Sequence, residues 1–97
     1  MAISLTQRAT IADNVLFRVI GNEAVLLNLK TEQYLGLDPV GTRMWTLLNE
    51  SRSLQEAFEL LLKEYDVDAD RLRTDLEEFI GKLVAQGLIE LEAMESA

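Results

Sequence analysis

Four acidic side chains in the second half of the chain have a spacing that could bind a metal ion. Asp66, Asp68, Asp70 and Glu77 fall at positions 1, 3, 5 and 12 of a calcium-binding loop. Position 6 of such a loop requires glycine for a sharp turn, but here it is Arg71. The residues from 72 onward follow helical spacing instead, so we expect no metal site.

The residue types that most enzymes use for proton transfer and nucleophilic attack are missing. The sequence has no histidine and no cysteine, which removes the usual general base, the thiol nucleophile and the common transition-metal ligands. Nothing in the sequence places two carboxylates in a formed pocket. We therefore expect no catalytic residues and no cofactor, and a function in binding.

Charge and hydropathy restrict the partners. The 97 residues include 9 basic and 17 acidic side chains, a formal net charge of -8 that would repel a phosphate backbone. No apolar run approaches the roughly 20 residues of a membrane span, and the first residues do not resemble a signal peptide. The sequence therefore predicts a cytoplasmic protein that binds neither nucleic acid nor membrane.

The first half of the chain predicts strands. Val15–Ile20 and residues 23–30 are rich in β-branched and apolar side chains, and Gly21-Asn22 between them has the composition of a two-residue hairpin turn. Residues 33–37 follow as a short third strand. The expected result is an antiparallel meander whose last strand lies at an edge, with apolar side chains on both faces of the middle strand.

The second half predicts three helices. Each helix begins with a capping residue placed before an amphipathic segment, namely Asp38, Ser53 and Asp68. Proline follows Asp38, as is typical of a first helical position, and Gly87 ends the third helix. Residues 88–91 add a short strand or an extended tail. The predicted architecture is α+β and winged-helix-like, a three-stranded antiparallel sheet followed by three helices, in a single domain over residues 1–97 with an ordered core over about 10–91.

The apolar helix positions divide between core and surface. Trp45 lies in an apolar helix and is predicted to anchor the core. In the third helix, Ile80 and Val84 are assigned to the core, whereas Leu72, Leu76 and Phe79 are expected to be shared between the core and a surface groove.

Three features of the middle of the chain, in their order and spacing, resemble the PqqD family, the precursor-peptide recognition elements. The resemblance is strongest over residues 24–48 and continues to residue 91. The three features are Tyr34 in the third strand, the helix start from Asp38 to Gly41, and Trp45 followed by Leu47 and Leu48.

The resemblance implies a partner. Family members hold the leader segment of a ribosomally made precursor peptide between the third strand and the third helix, and pass it to a leader protease and other modifying enzymes. The chain is similar to the stand-alone members of lasso-peptide pathways. The alternatives are a peptide chaperone of pyrroloquinoline quinone biosynthesis and a winged-helix DNA-binding regulator, which the net charge disfavours. Exposed strand edges also leave a homodimer open.

Strand addition assigns candidate binding residues to the third strand, and the resemblance adds the third helix, with its apolar stripe shared between core and groove and charged residues beside it. An ordinary edge strand and an ordinary core stripe would have the same pattern. Proline at Leu35 or Gly36 is predicted to weaken binding in a folded domain. The peptide-binding candidates are Gln33, Tyr34, Leu35, Gly36, Leu37, Arg71, Leu72, Asp75, Leu76 and Phe79.

Overall fold

The protein folds into two small antiparallel sheets and three helices. The computed structural model describes residues 5–93. Its elements are β1 (Gln7–Ile11), β2 (Val15–Ile20), β3 (Glu23–Asn28), β4 (Gln33–Leu37), α1 (Pro39–Glu50), α2 (Leu54–Glu64), α3 (Ala69–Ala85) and β5 (Ile89–Ala93). The α+β prediction is confirmed.

The larger sheet contains β2, β3 and β4 in that order, all antiparallel, as the sequence predicts. Gly21 has a φ of 65° and opens the two-residue turn between β2 and β3. A positive φ at the first central residue alone is typical of a type II′ turn, whose twist suits a hairpin. The last strand, β4, matches its predicted range.

The hydrogen-bond pattern of this sheet decides which backbone groups remain available at its edges. The Leu29 amide donates to the Asn14 carbonyl at 2.8 Å, which marks this pair as a hydrogen-bonded one. Because such pairs alternate along an antiparallel ladder, β3 directs the backbone groups of Leu26 toward β4. It follows that Leu35 of β4 bonds inward, whereas Tyr34 and Gly36 direct their amides and carbonyls outward.

A second sheet, which the sequence analysis did not predict, joins the two ends of the described chain. Strand β1 pairs antiparallel with β5, from Gln7 opposite Ala93 to Ile11 opposite Ile89. Of the two alternatives for residues 88–91, a strand or an extended tail, the structure has the strand. Strand β1 begins before residue 10, the expected start of the ordered core. Its alternation is weak, with apolar side chains only at Ala9 and Ile11.

The predicted caps start the first two helices. The Asp38 carboxylate accepts a hydrogen bond from the Gly41 amide at 2.7 Å, and the Ser53 hydroxyl accepts one from the Glu56 amide at 3.2 Å. Each satisfies a backbone donor that has no partner inside its helix. Asp68 is at the N-cap position of α3, but its side chain makes no capping hydrogen bond.

The core lies between the three helices, one face of the larger sheet and the smaller sheet, which contributes the buried Ala9 and Ile89. Trp45 is buried there and meets Phe17 of β2 edge to face, with ring centroids 5.6 Å apart, so its predicted core position is confirmed. Ile80 is fully buried and Val84 partly buried, also as predicted. No element within residues 5–93 covers the outer face of the larger sheet. Its exposed apolar side chains are Leu16, Ile20, Val25 and Tyr34.

One surface ion pair ties α1 to α2. A nitrogen of the Arg43 guanidinium lies 2.7 Å from a carboxylate oxygen of Glu64. The hydrogen bond from Arg43 lowers the pKa of Glu64 below its ordinary value of 4.5. A carboxylate with a lowered pKa stabilises the folded state above the ordinary pKa, and this contribution disappears as the pH falls through the folded-state value.

Replacing Glu64 with glutamine should therefore lower the melting temperature at neutral pH, and the difference should shrink as the pH falls through the lowered pKa of Glu64, because the carboxylate is then protonated in both states. Thermal denaturation at a series of pH values measures the difference. The matched control is Arg43→Gln, which should have the same effect, and the double variant should be no less stable than either single one. Additive losses would mean that the two residues act independently.

Candidate functional site

The free edge of β4 is the first component of the candidate site. Strand β4 pairs only with β3 within residues 5–93, so one side of it has no strand partner there. Tyr34 and Gly36 direct their backbone groups to this side, and the Tyr34 side chain is 75% exposed. An ideal Cβ at Gly36 would meet no atom within 4 Å. Among the described residues, none obstructs an extended chain that approaches the edge at Gly36.

A cleft between β4 and α3 lies beside the edge. It has a volume of about 270 Å³ and is lined by Leu35, Gly36 and Leu37 from β4 and by Phe79 and Lys82 from α3, with Asp38 and Gly41 at the start of α1. Leu35 and Phe79 are half-buried and offer apolar surface. Lys82 is exposed and contributes a positive charge. The cleft can therefore hold an apolar side chain, and an acidic side chain is favoured on the Lys82 side and disfavoured on the Asp38 side.

The depression continues toward the other end of β4. A second cleft of about 460 Å³ is lined by Glu32, Gln33, Tyr34 and Gln86. Together the two clefts follow β4 from end to end with α3 on one side. We call the surface formed by Gln33–Leu37, Phe79, Lys82 and Gln86 the β4–α3 groove.

The structure brings six of the ten candidate residues together in this groove, namely the five residues of β4 and Phe79. Leu72 and Leu76 are buried in the core instead, with Leu76 wholly inaccessible, so a direct peptide contact would require them to become exposed. Arg71 and Asp75 are exposed on the N-terminal half of α3. Helical spacing places Asp75 one turn before Phe79, on the extension of the groove.

Two groove residues were missed by the sequence analysis. Lys82 and Gln86 follow Phe79 by three and seven positions, so the three side chains share one helical stripe. The candidate residues on this helix were apolar side chains and charged residues nearer its start, and none was a polar residue of its last turn. The spacing from Phe79 onward was the signal available.

Asn28 holds β4 and α3 in their relative positions. Its buried side-chain amide donates to the carbonyl of Gln86 at the end of α3, at 2.8 Å. Its side-chain oxygen accepts hydrogen bonds from Asn14 at 2.6 Å and from the Lys30 amide at 2.9 Å, in the turn that leads to β4. A single side chain thus connects both walls of the β4–α3 groove.

Glycine at position 87 makes room for this arrangement. Gly87 has a φ of 68°, a conformation that side chains with a Cβ rarely adopt. An ideal Cβ there would lie 3.2 Å from the side-chain nitrogen of Asn28. The end of α3 is therefore fitted closely to the amide that links it to the sheet.

The acidic residues with calcium-like spacing do not converge. Helix α3 begins at Ala69, so Asp70 and Glu77 lie on a helix rather than in a binding loop. Across residues 5–93, no three acidic side chains are close enough together to hold a metal ion. The same part of the chain has no helix both long and apolar enough to cross a bilayer.

A comparison with known protein families identifies the family of this chain. The model of the family described as Coenzyme PQQ synthesis protein D (PqqD) matches residues 23–89, which is more than half of the chain. The chain belongs to the PqqD family. The matched range includes β3, β4 and all three helices, and therefore the whole β4–α3 groove.

A solved structure provides a second comparison. This PqqD-family chain is similar to TbiB1, solved in complex with the TbiA(beta) leader peptide, with 38% sequence identity and a TM-score of 0.77. The match covers 89% of this chain and 98% of TbiB1. No curated protein matches the sequence. The similarity to TbiB1 extends over nearly the whole length of both proteins and is not confined to the groove.

Proposed function

We propose that this protein binds the leader segment of a ribosomally synthesised precursor peptide and presents it to modifying enzymes. The leader adds to the sheet as an extended strand along the free edge of β4. The observation that carries the proposal is the combination of outward-facing backbone groups at Tyr34 and Gly36 with an adjacent apolar cleft. The leader-bound state of TbiB1 supports the choice of partner.

Strand addition accounts for both affinity and selectivity. Backbone hydrogen bonds to Tyr34 and Gly36 do not depend on the peptide's side chains, so they hold any extended segment. Alternate side chains of an added strand point to the same face, and those facing α3 would contact Phe79 and Lys82. A leader with an apolar side chain and a nearby acidic one at this spacing matches the groove.

The role is non-covalent. The leader becomes ordered on binding, at a cost in conformational entropy that the strand hydrogen bonds and apolar contacts must exceed. Modification then requires separate enzymes, for which we propose the leader protease and cyclase of a lasso-peptide pathway. We propose that the protein itself supplies no catalytic group and acts in the cytoplasm.

The proposal is tested by titration calorimetry with synthetic peptides. The TbiA(beta) leader and leaders encoded beside the gene for this protein are the probes. We expect saturable binding of one leader per chain. We expect no binding of the corresponding core segments, the parts of the precursor peptides that are modified. Equal affinity for leader and core segments, or no binding of any leader, would refute leader recognition.

Phe79→Ala should weaken leader binding about tenfold, because it removes half-buried apolar surface from the middle of the groove. The same calorimetric titration measures the effect. The matched control is Leu60→Ala on α2, which also removes a partly buried apolar side chain but lies outside the groove. Equal loss of affinity in the two variants would indicate a general effect on stability.

A second candidate is a peptide chaperone of pyrroloquinoline quinone synthesis, which the description of the family favours. The same groove would then receive the precursor of that cofactor. Competition between this precursor and a lasso-type leader in one titration distinguishes the two functions, since the cognate peptide displaces the other.

A further inference from the structure

Strand β2 forms the opposite edge of the larger sheet and has little of the protection that edge strands usually carry. Its large apolar side chains Leu16, Phe17, Val19 and Ile20 are 57%, 48%, 48% and 66% exposed. Arg18 is its single charged residue, and it contains no proline. Exposed edges are normally guarded by charges, proline, bulges or a covering segment. Within residues 5–93, no strand pairs with this edge.

The hydrogen-bond alternation of the sheet shows which groups β2 offers. Since Asn14 bonds inward to Leu29, the even-numbered residues of β2 bond to β3. Phe17 and Val19 therefore direct their amides and carbonyls away from the sheet. The edge of β2 thus offers hydrogen-bonding groups flanked by apolar side chains.

The sequence of β2 favours pairing with itself in one register. Two copies related by a twofold axis perpendicular to the sheet pair antiparallel. The pairing overlaps most of β2 in two registers, one with Phe17 and one with Arg18 at the centre. The Arg18 register sets two guanidinium groups directly opposite each other, which is unfavourable. The Phe17 register sets Phe17 beside its own copy and Leu16 opposite Arg18, with no like charges in opposition.

We propose that two copies of this chain associate through β2, in the Phe17 register, to form a continuous six-stranded sheet. None of the acidic residues lies in β2, so the local interface avoids the repulsion expected from a net charge of -8. The remaining long-range repulsion between the copies is screened by salt, and the dimer therefore becomes tighter at higher ionic strength.

The dimer leaves both leader sites available. The strand order places β4 of each copy at an outer end of the six-stranded sheet, with the two β4 strands about 24 Å apart at ordinary strand spacing. Each β4–α3 groove remains open, so one dimer can hold two leaders. The association does not depend on the identity of the peptide.

Sedimentation equilibrium of the full chain tests the dimer. The Val19 amide faces the free edge, so Val19→Pro removes an intermolecular donor without removing a hydrogen bond to β3. The twofold axis makes each substitution act twice, so this variant should weaken the dimer about a hundredfold, whereas Val19→Ala keeps the amide and should remain dimeric. A monomeric wild-type chain, or a Val19→Pro variant as dimeric as the wild type, would overturn the proposal.

Disulfide trapping tests the register independently of proline. The chain has no cysteine, and in the Phe17 register residue 16 of one copy lies opposite residue 18 of the other, about 4.5 Å apart between Cα atoms and within disulfide range. A mixture of the Leu16→Cys and Arg18→Cys variants should cross-link under mild oxidation far more than either alone. Cross-linking of Leu16→Cys by itself, which keeps Arg18, to the same extent as the mixture, or no cross-linking in the mixture, would contradict the register.

Discussion

Replacing Gly36 with proline is expected to weaken leader binding at least about tenfold while the domain stays folded. The Gly36 amide points away from β3, so proline removes a donor that only an added strand would use. Its ring also obstructs the approach of a peptide backbone. Calorimetry measures the affinity, and circular dichroism measures the fold.

Gly36→Ala is the matched control. An added Cβ at this position meets no other atom within 4 Å, and the amide is retained, so binding should be close to that of the wild type. Leu35→Pro should behave differently from both, because the Leu35 amide bonds to β3 and its loss destabilises the sheet. For Leu35→Pro this prediction differs from the sequence-based one, in which either proline leaves the domain folded. Normal leader binding by folded Gly36→Pro would contradict strand addition.

Asn28→Ala is expected to cost about 3 kcal/mol of folding stability, because it leaves several buried or half-buried polar groups without partners. The Gln86 carbonyl, the Asn14 side chain and the Lys30 amide each lose a hydrogen bond. For a chain of this size, thermal denaturation should show a melting temperature lower by roughly 10–20 °C. Leader affinity should fall as well, since the two walls of the β4–α3 groove are no longer tied together.

The control for Asn28 is Asn14→Ala, which removes only the 2.6 Å hydrogen bond to the Asn28 oxygen. The link from Asn28 to Gln86 remains, so this variant should lose less stability and keep its leader affinity. Similar effects of the two substitutions on affinity would mean that Asn28 does not position the groove.

Local sequence signals were sufficient to predict β4, the strand that forms the proposed leader-binding edge. Residues 33–37 lie between a polar turn and the capping residue Asp38, and both boundaries depend on near neighbours in the sequence. The same holds for Ser53 and the start of α2. Strand β1 was missed because its pairing joins residues far apart in the sequence, from Ile11 with Ile89, 78 positions apart, to Gln7 with Ala93, 86 positions apart. No short window of sequence contains that information.

The roles of individual residues in the β4–α3 groove could not be predicted from the sequence, because they depend on strand register and on how the helix packs against the sheet. Sequence patterns placed Asn28 on a strand face, but only the arrangement of β3 against the end of α3 shows that its side chain links the two. The inward direction of the Leu35 amide likewise follows from the hydrogen-bond alternation. Lys82 near the end of α3 and Gln86 at its C-cap are polar residues of a type that occurs on any solvent-facing surface. Only their position beside β4 in the structure indicates a role in the groove.

Amide hydrogen exchange at Tyr34 and Gly36, measured with and without a bound leader, tests the central claim most directly. Both amides face the open edge of β4, so they should exchange rapidly in the free protein and become strongly protected in the complex. Phe17 and Val19 on β2 should show no leader-dependent change. Protection of β2 alone, with Tyr34 and Gly36 still exchanging rapidly in the saturated complex, would contradict strand addition at β4.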